Sequence, residues 1–145
     1  MPYPSPAQLL PHAGPAILID AILDDAENHV VVGATITAAH PYFVAGHGVP
    51  VWVGIEMMAQ AVAAHGCLSA RRDGAAAPRQ GMLLGTRHFD GHVAWFVEGA
   101  QLSIHAERAF GHDGGGMAAC DCRIESAGQC LAQATIIVLE MVDHE

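Results

Sequence analysis

Glu56 is the residue whose setting most suggests chemistry. It stands in a long apolar run, Val49–Ala70, interrupted otherwise by Gln60 and His65. A carboxylate in an apolar helix is costly unless something satisfies it. Burial would raise its pKa and make it a usable general acid. Gln60 follows four residues later, on the same face of a helix. His47 precedes Glu56 by nine residues, in the segment Gly46-His47-Gly48. A loop histidine feeding a helix N-terminus can act as a general base, or can simply be a turn residue. The free N–H groups of that N-terminus can polarise a carbonyl oxygen. Base, acid and carbonyl-polarising donors together suit proton abstraction next to a thioester carbonyl. The plainer reading of Glu56 is a carboxylate at a subunit seam, or one accepting backbone bonds near the helix start.

These groups need a helix to hold them. Val51–Ala70 is rich in Met, Ala, Leu, Gln and Glu, follows Pro50, and ends at Arg71, Arg72 and Gly74. Apolar residues surround it, which predicts an almost wholly buried helix. Before it, five prolines in residues 1–15 predict an extended entry with a short helical turn at Pro6–Leu10. Ala16–Asp20 reads as a strand, Asp24-Asp25-Ala26-Glu27-Asn28 as a turn, and His29–Thr37 as the second strand of a hairpin. Ala38–Pro50 is irregular, and Asp73–Pro78 is a loop of mostly small residues. After it, Gly81–Phe89 and Ala94–Val97 read as strand segments. Gln101–Arg108 alternates, with Leu102, Ile104 and Ala106 on one face. Gly111–Gly116 is a hairpin turn, Met117–Glu125 a strand, Ser126-Ala127-Gly128 a turn and Gln129–Met141 the last strand. The expected class is α+β: a single domain over residues 1–145 in which an antiparallel sheet wraps one central helix.

Composition narrows the function. Of 145 residues, 52 % are apolar and only 14 % charged, so oligomerisation is expected to cover apolar surface. Val49–Ala70 is long enough to span a bilayer. A carboxylate at the centre of a span costs about 2.5–3.5 kcal/mol, which argues against a membrane span. Met1-Pro2-Tyr3-Pro4 has no basic region ahead of an apolar run, so a cytoplasmic location is expected. The net charge of −9 argues against sequence-independent nucleic-acid binding. Lysine is absent, and four of the six cations, Arg71, Arg72, Arg79 and Arg87, fall in one stretch. They could dock an acidic partner or a phosphate group, or merely solvate a loop. Cys67, Cys120, Cys122 and Cys130 read as reduced thiols, with Cys120 and Cys122 sharing a strand face as small apolar residues. His88, His92, His105 and His112 lack zinc spacing, so neither metal nor cofactor is expected.

Several segments resemble the β-hydroxyacyl-acyl-carrier-protein dehydratases. Leu10-Pro11-His12 through Leu18-Ile19-Asp20 resembles that family's leucine-proline-histidine opening. Tyr42-Phe43 followed by Gly46-His47 resembles its aromatic-glycine-histidine segment, and Glu56-Met57-Met58-Ala59-Gln60-Ala61 its glutamate-alanine-glutamine helix. Val97-Glu98-Gly99-Ala100 stands where the family has a valine-proline-glycine-aspartate turn. The resemblance implies a hotdog fold, a homodimer at least, and active sites at the subunit interface, where histidine and carboxylate come from different protomers. It implies that His47 takes the α-proton of a 3-hydroxyacyl thioester and Glu56 protonates the leaving hydroxyl. A backbone N–H near Val51 or Trp52 would hold the thioester carbonyl, with Gln60 and His12 also at the substrate. Acyl carrier protein, or coenzyme A, would carry the acyl group, and Arg71, Arg72, Arg79 and Arg87 would dock the carrier. The family's histidine-phenylalanine-proline-glycine segment shortens here to His47-Gly48-Val49-Pro50. That form is similar to the divergent dehydratase-like proteins of bacterial aryl-polyene lipid clusters. Two other functions stay open. One is a non-catalytic acyl-binding subunit that partners a second dehydratase, and the other is a hotdog thioesterase.

Overall fold

Alternating apolar residues in the second half of the chain build its largest element, a sheet with one face made for a helix. The computed structural model describes residues 3–10, 14–72, 74, 80–111 and 116–141. In chain order the elements are α1 (Pro6–Leu9), β1 (Ala21–Ala26), β2 (His29–Thr35), β3 (Val49–Pro50), α2 (Gly54–Arg72), β4 (Gln80–Gly91), β5 (Trp95–Phe96), β6 (Gln101–Phe110), β7 (Gly116–Ser126) and β8 (Gln129–Met141). Six strands form one antiparallel sheet in the order β1-β2-β6-β7-β8-β4, while β3 and β5 pair as a small separate ribbon. The sheet wraps α2, the hotdog arrangement implied by the resemblance.

Register explains how the helix fits. Val30, Ala106, Cys122 and Ala134 lie opposite one another across β2, β6, β7 and β8, as do Val32, Ile104, Ile124 and Ala132. All eight are buried. The small side chains of the first row leave room for α2, whose Met57, Met58, Ala61 and Ala64 are fully covered. Gly54 is where α2 leaves no room for a side chain. A Cβ there would stand 2.9 Å from Ile124 Cδ1 and 3.3 Å from Phe96 Cζ. Val51–Arg72 is long and apolar enough to cross a membrane, but 61 % of its most apolar window is buried within the chain, so it serves as the core helix of the sheet.

Several boundaries differ from the sequence reading, each for a tertiary reason. The helical segment opens with a 3-10 turn at Val51–Val53 and runs on to Arg72 rather than stopping at Ala70. Arg72 prolongs it by reaching Asp25, Ser69 and the carbonyl of Ala26. Ala16–Asp20 is not a strand: Gly14–Ala16 is a 3-10 turn, and the ladder begins at Ala21. The backbone of Ala16 and Leu18 is taken by the Gln60 side chain and so does not pair with a strand. Asp24, Asp25 and Ala26 belong to β1, and the hairpin turn narrows to Glu27-Asn28. β4 is longer than expected and carries two bulges, with His88 at a left-handed φ of 56° in the second. β8 spans its expected residues, and the turn before it places Ala127 and Gly128 at φ 51° and 79°, as a type I′ turn requires. In the expected Gly111–Gly116 turn, residues 112–115 lie outside the described residues.

Candidate active site

The entrance of α2 forms one wall of a cleft of about 600 Å³. Trp52, Val53, Ile55 and Glu56 come from the helix and its first turn; Pro15, Ala16 and Leu18 come from the strap before β1; Pro41 and Tyr42 come from the loop after β2. Among the described lining residues, Glu56 is the charged group. It is half-buried, on the side of the first turn of α2 that faces the cleft, while Gly54 and Met57 of the same turn are buried. Trp52 and Tyr42 meet edge to face, their ring centroids 5.8 Å apart, and both remain largely exposed.

Gln60 holds this arrangement together. Its side chain is fully buried. Oε1 accepts the Leu18 N–H at 2.8 Å, and Nε2 donates to the Ala16 carbonyl at 2.6 Å and to Glu56 Oε1 at 3.2 Å. One amide therefore fixes both the strap wall and the carboxylate. Expected as a substrate-binding residue, Gln60 instead lies behind the cleft with its amide committed within the chain. Val51 also differs from expectation. Its N–H donates to the Ala94 carbonyl at 3.1 Å and is not offered to a thioester carbonyl. Trp52, next in the same turn, stands among the helix-start positions whose N–H groups have no intrahelical acceptor.

His47 is exposed on the tight turn before β3, where its N–H donates to the Val44 carbonyl at 3.0 Å. Its ring stacks on Trp95, with centroids 4.6 Å apart and an interplanar angle of 21°. It does not line the Glu56 cleft, so one chain alone does not bring the two expected catalytic groups together. Gly48 lets the turn close: its φ is +117°, and a Cβ there would stand 2.2 Å from the Phe96 carbonyl oxygen.

The arginines do not act as one set. Arg72, expected to dock a carrier, spends its guanidinium on Asp25, whose side chain is 3 % exposed. Arg71 reaches the Gln8 carbonyl at 3.4 Å, and Arg87 is exposed on β4. Arg71 lies about 22 Å along the helix axis from Glu56, at 1.5 Å per residue. His12 and Arg79 lie outside the described residues. The contributions of Tyr42, of Trp95 beneath His47 and of the strap to Gln60 were missed in the sequence reading. No local pattern announces contacts between residues so far apart in the chain.

A family model described as ApeP dehydratase matches residues 4–145. The chain belongs to the ApeP-like dehydratase family. No curated protein matches it by sequence. Among solved structures, the dehydratase heterocomplex ApeI:P from Xenorhabdus doucetiae is similar over 97 % of this chain and 93 % of its own, with a TM-score of 0.88 and 25 % identity. A hypothetical thioesterase from Streptococcus pneumoniae TIGR4, solved with coenzyme A, matches at a TM-score of 0.66 and 15 % identity, over 86 % of this chain and 87 % of its own. The protein smu.793 from Streptococcus mutans UA159, bound to acetyl CoA, matches at 0.63 and 14 %, over 86 % and 90 %. The last two carry the fold alone. An ApeP-like chain thus shares its frame with thioesterases, and the groups facing the cleft must separate the two chemistries.

Proposed function

We propose that this protein dehydrates 3-hydroxyacyl thioesters, presented by an acyl carrier protein, to trans-2-enoyl thioesters in cytoplasmic fatty acid or aryl-polyene synthesis. The observation that carries the reading is Glu56, the one carboxylate among the described residues of a largely apolar cleft, held by Gln60. Glu56 would give its proton to the departing β-hydroxyl, which leaves as water, while a base removes the α-proton. The electron pair of the α C–H bond becomes the new double bond. The Trp52 N–H would hold the thioester oxygen, on which charge develops.

His47 is the proposed base. Its separation from the Glu56 cleft of its own chain supports a site completed by a second subunit. β4 ends the sheet, with Leu83 and Leu84 43 % and 50 % exposed, and an open edge of that kind favours pairing with another hotdog subunit. That subunit would be a second copy of the chain or another dehydratase, and Arg71 and Arg87 are the exposed cations proposed to meet the carrier. The exposed, stacked His47 also favours a second reading, in which the chain contributes its cleft to a partner that supplies the base.

Incubation with 3-hydroxyacyl-pantetheine thioesters, with enoyl product and free thiol both measured, tests these readings. Enoyl formation by the protein alone supports the enzyme, and Glu56→Gln should lower kcat about 10²–10⁴-fold, the usual worth of a general acid. Activity appearing only when another hotdog dehydratase is added supports the partner reading. Thiol release without enoyl product would make it a thioesterase, and no reaction under any of these conditions would overturn the proposal.

A further inference from the structure

His40 stands beside the cleft without lining it. Its N–H donates to the Thr37 carbonyl and its own carbonyl accepts the Phe43 N–H, both at 3.0 Å, so it is the pivot of the turn after β2. Its Nδ1 accepts the Tyr42 N–H at 3.1 Å. A ring nitrogen that accepts carries no proton, so the single hydrogen of the neutral imidazole sits on Nε2. Nε2 is buried and has no hydrogen-bond partner among the described residues. The His40 and Tyr42 rings lie 5.9 Å apart, and Tyr42 in turn meets Trp52. A ladder of three rings therefore runs from His40 to the 3-10 turn that leads into the helix carrying Glu56.

We propose that His40 is a positioning residue whose neutral imidazole holds the Tyr42 backbone, and with it the Tyr42–Trp52 wall, and that a proton taken up at Nδ1 releases that wall. Protonation turns Nδ1 from an acceptor into a donor facing the Tyr42 N–H, and that bond is lost. Asp20, in the segment before β1, is the charged group that acts on His40 and favours the proton; burial disfavours it more strongly and holds the His40 pKa below its ordinary value of 6.5. Among the described residues, Tyr42 is the other titratable group in contact with it. The wall is thus held at neutral pH and loosens only as pH falls below the ordinary histidine range. That the wall faces an acyl chain rests on the function proposed above, whereas its coupling to His40 does not.

Trp52 reports the wall directly once Trp95, which stacks on His47, is replaced by Phe. In that Trp95→Phe background, acrylamide quenching of Trp52 should rise in one step as pH drops from 7.5 to 5. His40→Asn should abolish the step while keeping the neutral-pH quenching, because an asparagine side-chain oxygen accepts the N–H two residues on without titrating. His40→Leu should give the acid-type quenching at every pH. Decanoyl-coenzyme A should bind about tenfold more weakly at the acid end in the Trp95→Phe protein, the worth of one net hydrogen bond, and His40→Asn should remove that loss. A step that persists in His40→Asn overturns the proposal, as does unchanged quenching in His40→Leu. If His40→Leu does not fold, the Asn variant decides alone. A quenching step that decanoyl-coenzyme A affinity fails to follow supports the positioning role and refutes the acyl reading of the cleft.

Discussion

Replacing Gln60 with Leu removes three hydrogen bonds and little volume, which makes it a sensitive probe of how the cleft is held. The buried Leu18 N–H loses its acceptor, and an orphaned buried donor costs about 1–3 kcal/mol. The Ala16 carbonyl belongs to an exposed residue and can turn to water, so its loss adds about 0.5 kcal/mol. The link to half-buried Glu56 adds a similar amount, and the gain from burying a leucine offsets about 1 kcal/mol. The net expectation is about 2 kcal/mol, or a fall in Tm of about 4–8 °C for a chain of this size. Calorimetry at fixed protein concentration measures it, since oligomerisation shifts Tm by mass action. Turnover should fall with it, because Glu56 and the strap lose their common anchor. Gln60→Glu adds a pH test. A buried glutamate beside Glu56 would have a raised folded-state pKa, so it would bind its proton more tightly folded than unfolded, and stability should fall as pH rises through the carboxylate range. A Gln60→Leu protein within about 0.5 kcal/mol of wild type, with unaltered turnover, would refute the reasoning.

Gly48→Ala should cost about 3 kcal/mol or more, because a Cβ meets the Phe96 carbonyl oxygen at 2.2 Å and the left-handed backbone resists any side chain. Thermal unfolding, together with the Trp95 emission that senses His47, would show it. Arg72→Ala strips the counter-ion from nearly buried Asp25; breaking a buried pair costs about 3–5 kcal/mol, reduced here to about 1–2 because Arg72 is 44 % exposed. A double-mutant cycle in urea with Asp25→Asn should show coupling, and no stability change would mean that Arg72 serves the surface alone.

Much of the frame was legible in residue order. Leu102, Ile104 and Ala106 alternate because β6 has one face on the helix, and all three are buried there. The apolar encirclement of α2 marked it as the core helix, and Cys120 and Cys122 occupy the inner face of β7 as their spacing suggested. Burial lifts the Cys122 thiol pKa well above its ordinary value, in keeping with an inert packing role. Glu56 and Gln60 could be paired from their spacing alone, because four residues is one helical turn.

Only the tertiary structure decided which groups meet across the chain. Gln60 finds the Ala16 carbonyl 44 residues away and in doing so turns an expected strand into a strap. Asp25 looked like a turn residue, yet its backbone pairs with Val30 in the ladder and its side chain is reached by Arg72 across 47 positions. Periodicity records which face of a segment is covered, because that depends on the segment's own repeat. It carries no record of the partner, which is set when distant backbones are brought within the short range of a hydrogen bond or a ring contact. Sequence therefore determined the carboxylate and the helix beneath it, while the fold decided what holds that carboxylate, what walls its cleft, and that His47 lies outside the cleft of its own chain.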